Sequence, residues 1–255
     1  ACFKKFNAFA RILPAPFLIS RLGGPRMPTA VEVPEARTTG SAPSGGDIRS
    51  ALERIAAPER VLDRPIDRIA FASDASFYRL IPKAVVLAQT VDEVASLFRF
   101  ARETKVPVTL RAAGTSLSGQ AVTDGLLVEV ARHWRTVKVE DGGKRFRTQP
   151  GVIGASVNNA LRPYRVKMGP DPASINTCTM GGILSNNSSG MCCGVTQNAY
   201  HTLESLSFLL PSGTRIDTAA PDADERFRAA EPALWKGILD LKAELESDPA
   251  LAARI

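Results

Sequence analysis

The stretch VPVTLRAAGTSLSGQAV, residues 106–122, is an extended apolar run that gives way to a loop with little side-chain bulk. After Arg111 come Ala112, Ala113, Gly114, Thr115, Ser116, Ser118, Gly119 and Gln120. A loop of this kind can be a plain turn. It can also bring backbone N–H groups together against something bulky and negative, because glycine permits both positive φ and close approach.

A second stretch, KMGPDPASINTCTMGGILSNNSSGMCCGVTQNAYHTLESL at 167–206, has related chemistry at greater length. A long aperiodic segment in a compact domain is uncommon unless it is functional or disordered. This one is too poor in charge and too rich in Gly, Asn, Ser and Met for disorder. Gly181 and Gly182 let a backbone approach a ligand, and Asn186, Asn187, Ser188, Ser189 and Gly190 offer donors and acceptors without bulk. Two such loops suggest one extended ligand held from two sides. Common phosphate motifs do not account for them. GTSLSGQ has the glycine spacing of a P-loop, but Gln120 stands where its lysine belongs, and no G-x-G-x-x-G follows either strand.

The elements that would position these loops can be read from periodicity. AVVLA, 84–88, predicts a buried strand, and VDEVASLFRFARETK, 91–105, places Val91, Val94, Leu97, Phe98 and Ala101 on one helical face. VPVTL, 106–110, predicts the next strand, so the first loop sits at the strand's C-terminal end, where open α/β sheets bind ligands. LLVEV (126–130), TVKVE (136–140) and KRFRTQP (144–150) then predict short strands with tight turns, one at Asp141-Gly142-Gly143. A short helix over 152–163, a hairpin turning at Pro211-Ser212-Gly213 and a charged helical end from Asp222 complete the pattern.

Composition narrows the function. The chain of 255 residues is 44% hydrophobic and 23% charged, ordinary globular values. Of the net charge of +6, residues 1–26 carry +5, through Lys4, Lys5, Arg11, Arg21 and Arg26 without an acid. The body is nearly neutral and predicts no nucleic-acid footprint. No apolar run reaches membrane-span length. The basic start predicts either a targeting peptide or an over-extended reading frame before Met27. Cys2, Cys178, Cys192 and Cys193 match no metal or disulfide framework, and His133 and His201 are too far apart in sequence to suggest a metal site. We therefore expect no metal-binding residues.

RAAGTSLSGQ resembles the pyrophosphate loop of the FAD-binding (PCMH-type) fold shared by relatives of vanillyl-alcohol oxidase and D-lactate dehydrogenase. PDPASINTCTMGGILSNNSSGMCCG is similar to the second FAD loop of that family. Upstream, FASDASFYRLIPKAVVLAQTVDEVASLFRFARE resembles the opening of the branch whose long members add an iron–sulfur domain. That branch contains D-lactate, glycolate and D-2-hydroxyglutarate dehydrogenases.

The resemblance implies an α+β chain, a PCMH-type fold of two α/β subdomains truncated before a cap domain. The expected divisions are a disordered leader or over-extended start over 1–46, a helical lead-in over 47–80, the FAD-binding domain over 81–218 and, over 219–255, a helical segment leading to the cap domain. Non-covalent FAD is implied, since Thr115 stands where covalent members carry a flavin-linking histidine. Ala112, Ala113, Gly114, Thr115, Ser116, Ser118, Gly119 and Gln120 would hold the pyrophosphate. Pro170, Asp171, Ser174, Gly181, Gly182, Asn186 and Ser189 would line the isoalloxazine and ribityl side, and Ile216 would offer backbone contacts to adenine. Ala112 and Ala113 replace the family's glycines, which allows a nest only if both keep negative φ. The whole protein would oxidise a small 2-hydroxy acid, with a quinone, cytochrome or iron–sulfur domain as electron acceptor. Any iron–sulfur cluster would belong to a region beyond 255. No catalytic residue is expected within the chain, whose expected location is the cytoplasm, with peripheral attachment to the inner membrane as a variant. A non-catalytic electron-transfer subunit and an inactive remnant are the alternative readings.

Overall fold

The computed structural model describes residues 45–252, so the expected leader lies almost wholly outside the described residues. Helix α1 (Gly45–Leu52) leads into strand β1 (Val61–Leu62), helix α2 (Pro65–Ala70) and strand β2 (Ala84–Leu87). Helix α3 (Val91–Thr104) follows. Thr90 caps it, accepting the Glu93 N–H at 3.2 Å while the Glu93 carboxylate accepts the Thr90 N–H, a capping box. Glu93 also takes two hydrogen bonds from the Arg60 guanidinium, at 2.6 and 2.7 Å. These bonds hold its carboxyl below the usual range against the opposing effect of burial.

Strand β3 (Val108–Arg111) ends at the first loop, and β4 (Leu126–Glu129) returns beside it. The sheet order is β1-β2-β4-β3, with β1 antiparallel and the other three strands parallel. The two strands flanking α3 are thus parallel but not adjacent. LLVEV, expected to open a run of tightly turned strands, instead inserts between them. Its four residues from Leu126 to Glu129 are all buried, as are those of β2, which suits central strands covered on both faces. Period-two alternation sends Ala84, Val86, Leu126 and Val128 into a core with Leu52 and Leu97, while Val85, Leu87 and Leu127 pack on the other face.

Strands β5 (Val137–Glu140) and β6 (Arg145–Thr148) form the expected antiparallel hairpin. Its inner face, Val137, Val139 and Phe146, packs against a second core. That core contains Val157 and Leu161 of helix α4 (Gly154–Leu161), together with Met180 and Ile183 of helix α5 (Met180–Ser185). After helix α6 (Ala199–Thr202), strands β7 (Ser207–Leu209) and β8 (Arg215–Asp217) form another hairpin. Helices α7 (Ala223–Ala230), α8 (Pro232–Ser247) and α9 (Pro249–Ala252) end the described chain. Phe208, Ile216, Phe227 and Trp235 gather into a third cluster beneath them. The molecule is α+β, with the loops of interest attached to the first and second cores.

Candidate functional site

Loop 112–120 leaves β3 at the edge of its sheet, and the segment before β2 gives it its shape. Arg111 turns back under the loop, donating from Nη1 to the carbonyls of Phe71 at 3.0 Å and Ser73 at 2.9 Å. Its guanidinium lies 5.5 Å from the centre of the Phe71 ring. Burial pulls the Arg111 pKa down, partly offset by the charges of Asp74 and Glu129. In the middle of the loop the Gly114 carbonyl accepts the Ala75 N–H at 3.0 Å. At its end the Ala121 N–H donates to Asp74 Oδ2 at 3.3 Å. Asp74 Oδ1 also accepts the Ser76 N–H at 2.8 Å. Burial raises the Asp74 pKa, but the hydrogen bonds from Ser76 and Ala121 and the Arg111 charge outweigh it, so the carboxyl stays below its ordinary value.

Gly114 and Gly119 have φ of +69° and +72°. A side chain at Gly114 would strike the Arg111 guanidinium at 2.7 Å, and one at Gly119 the Tyr78 ring at the same distance. Ala112 and Ala113 are absent from the positive-φ residues, so both satisfy the condition for a nest. The Ser116 hydroxyl accepts from the Ser118 and Gln120 N–H groups and donates to Gln120 Oε1 at 2.8 Å. Among the described residues, no protein acceptor is paired with the N–H groups of Ala112 through Ser116. Five consecutive donors on a loop with a positive-φ glycine are the kind of donor set from which an anion nest can be built.

The second stretch is ordered around α5. Pro170 is buried, and Asp171 bridges to Gly190, with its N–H donating to the Ser189 carbonyl at 2.9 Å. The Asp171 carboxylate pairs with Lys167 at 3.0 Å. The Ser174 carbonyl accepts from Thr177 and Cys178 in the turn that leads to the helix. The two adjacent glycines differ in role. A Cβ on Gly181 would lie 2.8 Å from Pro150, so this glycine serves packing, whereas one on Gly182 would meet nothing within 4 Å. Gly182 is exposed and leaves its backbone open on that side. Asn186 ends the helix and accepts the Ser188 hydroxyl at 2.6 Å. Thr179, at the helix start, is 3% exposed, and its hydroxyl has no hydrogen-bond partner among the described residues.

A continuous path joins the two loops. The Val130 N–H, just after β4, donates to the Arg111 carbonyl at 2.8 Å. Ala131 crowds Gly151, and the neighbouring Pro150 accepts the Gly181 N–H at 2.9 Å. Ile216 stands apart. It is fully buried in the third cluster, on a hairpin whose turn at Gly213 abuts Arg99 and Ala95 of α3. His133 is exposed, and His201 Nδ1 is 2.8 Å from Asn198 Oδ1 in α6. Among the described residues, no group of three or more His, Cys, Asp or Glu side chains could hold a metal ion. A cavity of about 230 Å³ lined by Arg49, Pro58, Glu59, Val61 and Asp67 contains no residue of either loop.

Sequence reasoning missed Asp74 and Thr179. The Asp-Ala-Ser turn of FASDASFY was the available signal for Asp74, since aspartate commonly accepts the N–H two residues on. Nothing in the sequence marked the hydroxyl of Thr179 as unpaired.

The donor set suits FAD. Two phosphate charges match a run of five backbone donors, and the exposed Gly182 leaves its backbone open on the second stretch, whereas the Thr179 hydroxyl is enclosed by protein. The fold defines the class first, an α+β protein whose two glycine-containing loops are joined by a continuous path of contacts. The chain belongs to the FAD binding domain family, whose model matches residues 82–219. It is 35% identical over 120 residues to the glycolate oxidase subunit GlcD of Escherichia coli (strain K12), covering 46% of this chain and 24% of that protein. It is 32% identical over 160 residues to D-2-hydroxyglutarate dehydrogenase of Pseudomonas putida (strain KT2440), covering 61% of this chain and 16% of that protein. The matched segment thus spans about a quarter or less of these relatives. Among solved structures, alkyldihydroxyacetonephosphate synthase aligns with a TM-score of 0.56 at 22% identity, covering 67% of this chain and 35% of that one. That likeness shows the PCMH-type fold. Among the described residues, no helix is long and apolar enough to cross a membrane.

Proposed function

We propose that this chain is the FAD-binding portion of a flavin-dependent dehydrogenase of small D-2-hydroxy acids. The observation that carries the cofactor reading is the run of N–H groups from Ala112 to Ser116 without protein acceptors among the described residues, at the end of a parallel strand. The substrate class rests on the relatives, a glycolate oxidase subunit and D-2-hydroxyglutarate dehydrogenases. Loop 112–120 holds the pyrophosphate, and the stretch 170–189, with Gly182 at its open face, approaches the ribityl and isoalloxazine side. Thr115 leaves the flavin non-covalently bound. Residues 81–218 form the cofactor domain, preceded by a helical lead-in and followed by helices that lead toward a substrate-binding cap.

Bound FAD supplies a hydride acceptor at N5 for the substrate α-carbon. Hydride transfer also needs a base for the hydroxyl proton and a cation for the carboxylate, at near-attack distance. Neither histidine serves this role in our reading: His133 is exposed and His201 is tied to Asn198. We expect the FAD-loaded chain to show no turnover of glycolate, D-lactate or D-2-hydroxyglutarate with an artificial electron acceptor. The assay compares acceptor reduction with and without substrate, since exposed flavin also reacts with oxygen. Substrate-dependent reduction at an enzyme-like rate would place the catalytic groups within residues 1–255.

A further inference from the structure

Residues 71–78 precede the segment 82–219 that matches the family, yet they hold the cofactor loop at three points. Phe71 and Ser73 carbonyls receive the guanidinium that begins the loop. The Ala75 N–H meets the Gly114 carbonyl at the apex, and Asp74 takes the Ala121 N–H at the end. Because β3 is an edge strand, no further strand among the described residues lies on the loop's outer side to fix it. We propose that Asp74 is a positioning residue for the cofactor loop, acting through the Ala121 N–H rather than by touching FAD. The proposal rests on the FAD reading above.

Its sign separates positioning from simple electrostatics. A carboxylate beside a loop that receives two phosphate charges opposes them, so removing the charge alone would tighten FAD binding. A positioning role predicts the reverse. Asp74→Ala removes both acceptors and lets the end of the loop drift, releasing N–H groups from the geometry the pyrophosphate requires. Asp74→Asn removes the charge but keeps a carbonyl oxygen that can accept the Ala121 N–H.

The test is an equilibrium titration of FAD into the apo forms of the full chain and both variants, with the melting temperature of each apo form. We expect Asp74→Ala to weaken FAD binding by about tenfold, as for one lost charge-assisted hydrogen bond. Asp74→Asn should bind within about threefold of the parent, or more tightly, and restore what alanine loses. Apo melting temperatures should stay close to the parent's, because a residue that only supports the fold would lower them. Asp74→Ala binding as tightly as the parent would overturn the proposal, as would equal weakening by both variants. If Asp74→Ala does not fold, Asp74→Asn is titrated together with amide exchange of the parent. Slow exchange at Ala75 and Ala121 supports the contacts, and fast exchange at both overturns them. A parent chain that binds no FAD would overturn the cofactor reading itself, whereas a parent that binds and an unaffected alanine variant would overturn only the role of Asp74.

Discussion

Replacing Gly114 by Val is expected to cost the chain most of its affinity for FAD. Gly114 lies at φ +69°, a region β-branched residues rarely enter, with the Arg111 guanidinium 2.7 Å from where a Cβ would stand. Holding a non-glycine residue there costs about 1–3 kcal/mol. The alternative is a loop that flips to negative φ and turns its N–H groups away from the pyrophosphate. At about 1.4 kcal/mol per decade the backbone cost alone reaches up to about two decades in Kd, and displacing the Arg111 guanidinium adds to it, so the loss should exceed tenfold. Ala113→Gly at the neighbouring position should be nearly harmless, because Ala113 makes no positive-φ demand. FAD titration of both variants checks this. Equal tolerance would place the pyrophosphate elsewhere.

Gly190→Ala should damage the second loop and the fold around it. Gly190 has φ +151°, and a Cβ there would lie 1.8 Å from the Asp171 carbonyl oxygen, a backbone atom that cannot rotate away. The bridge between Asp171 and Gly190 and the bond from the Asp171 N–H to Ser189 must then separate. We expect a loss of about 3 kcal/mol, or roughly 6–12 °C in melting temperature for a domain of this size. FAD binding should weaken with it. Gly194→Ala is the control, because Gly194 also has positive φ, +55°, but nothing lies within 4 Å of its would-be Cβ. Thermal melts that lower both variants equally would show that the contact with Asp171 does not matter.

Legibility from sequence followed the range of the interactions. The hairpin of β5 and β6 was readable because Asp141, Gly142 and Gly143 are a local turn signal, and all three adopt positive φ. Helix α3 was readable from its apolar face. Both glycine-rich loops stood out by residue type alone. The insertion of β4 between β2 and β3 was not readable, because a short apolar run does not declare its neighbours. The same limit hid the anchors of the first loop. Arg111 closes an apolar run in the sequence, and only the fold brings it to carbonyls 38 and 40 residues earlier. The division of labour between Gly181 and Gly182 depends on Pro150, thirty-one residues upstream of the first of them. In each case a distant partner, and no local pattern, decided the role.

The central claim is that the loops at 112–120 and 170–189 together hold one non-covalent FAD. The most direct measurement is titration of apo protein with FAD followed by flavin absorbance and fluorescence, then acid precipitation of the loaded protein. We expect saturation at one FAD per chain and all the flavin in the acid supernatant. A chain that takes up no FAD, or flavin that remains with the acid precipitate, would contradict the account.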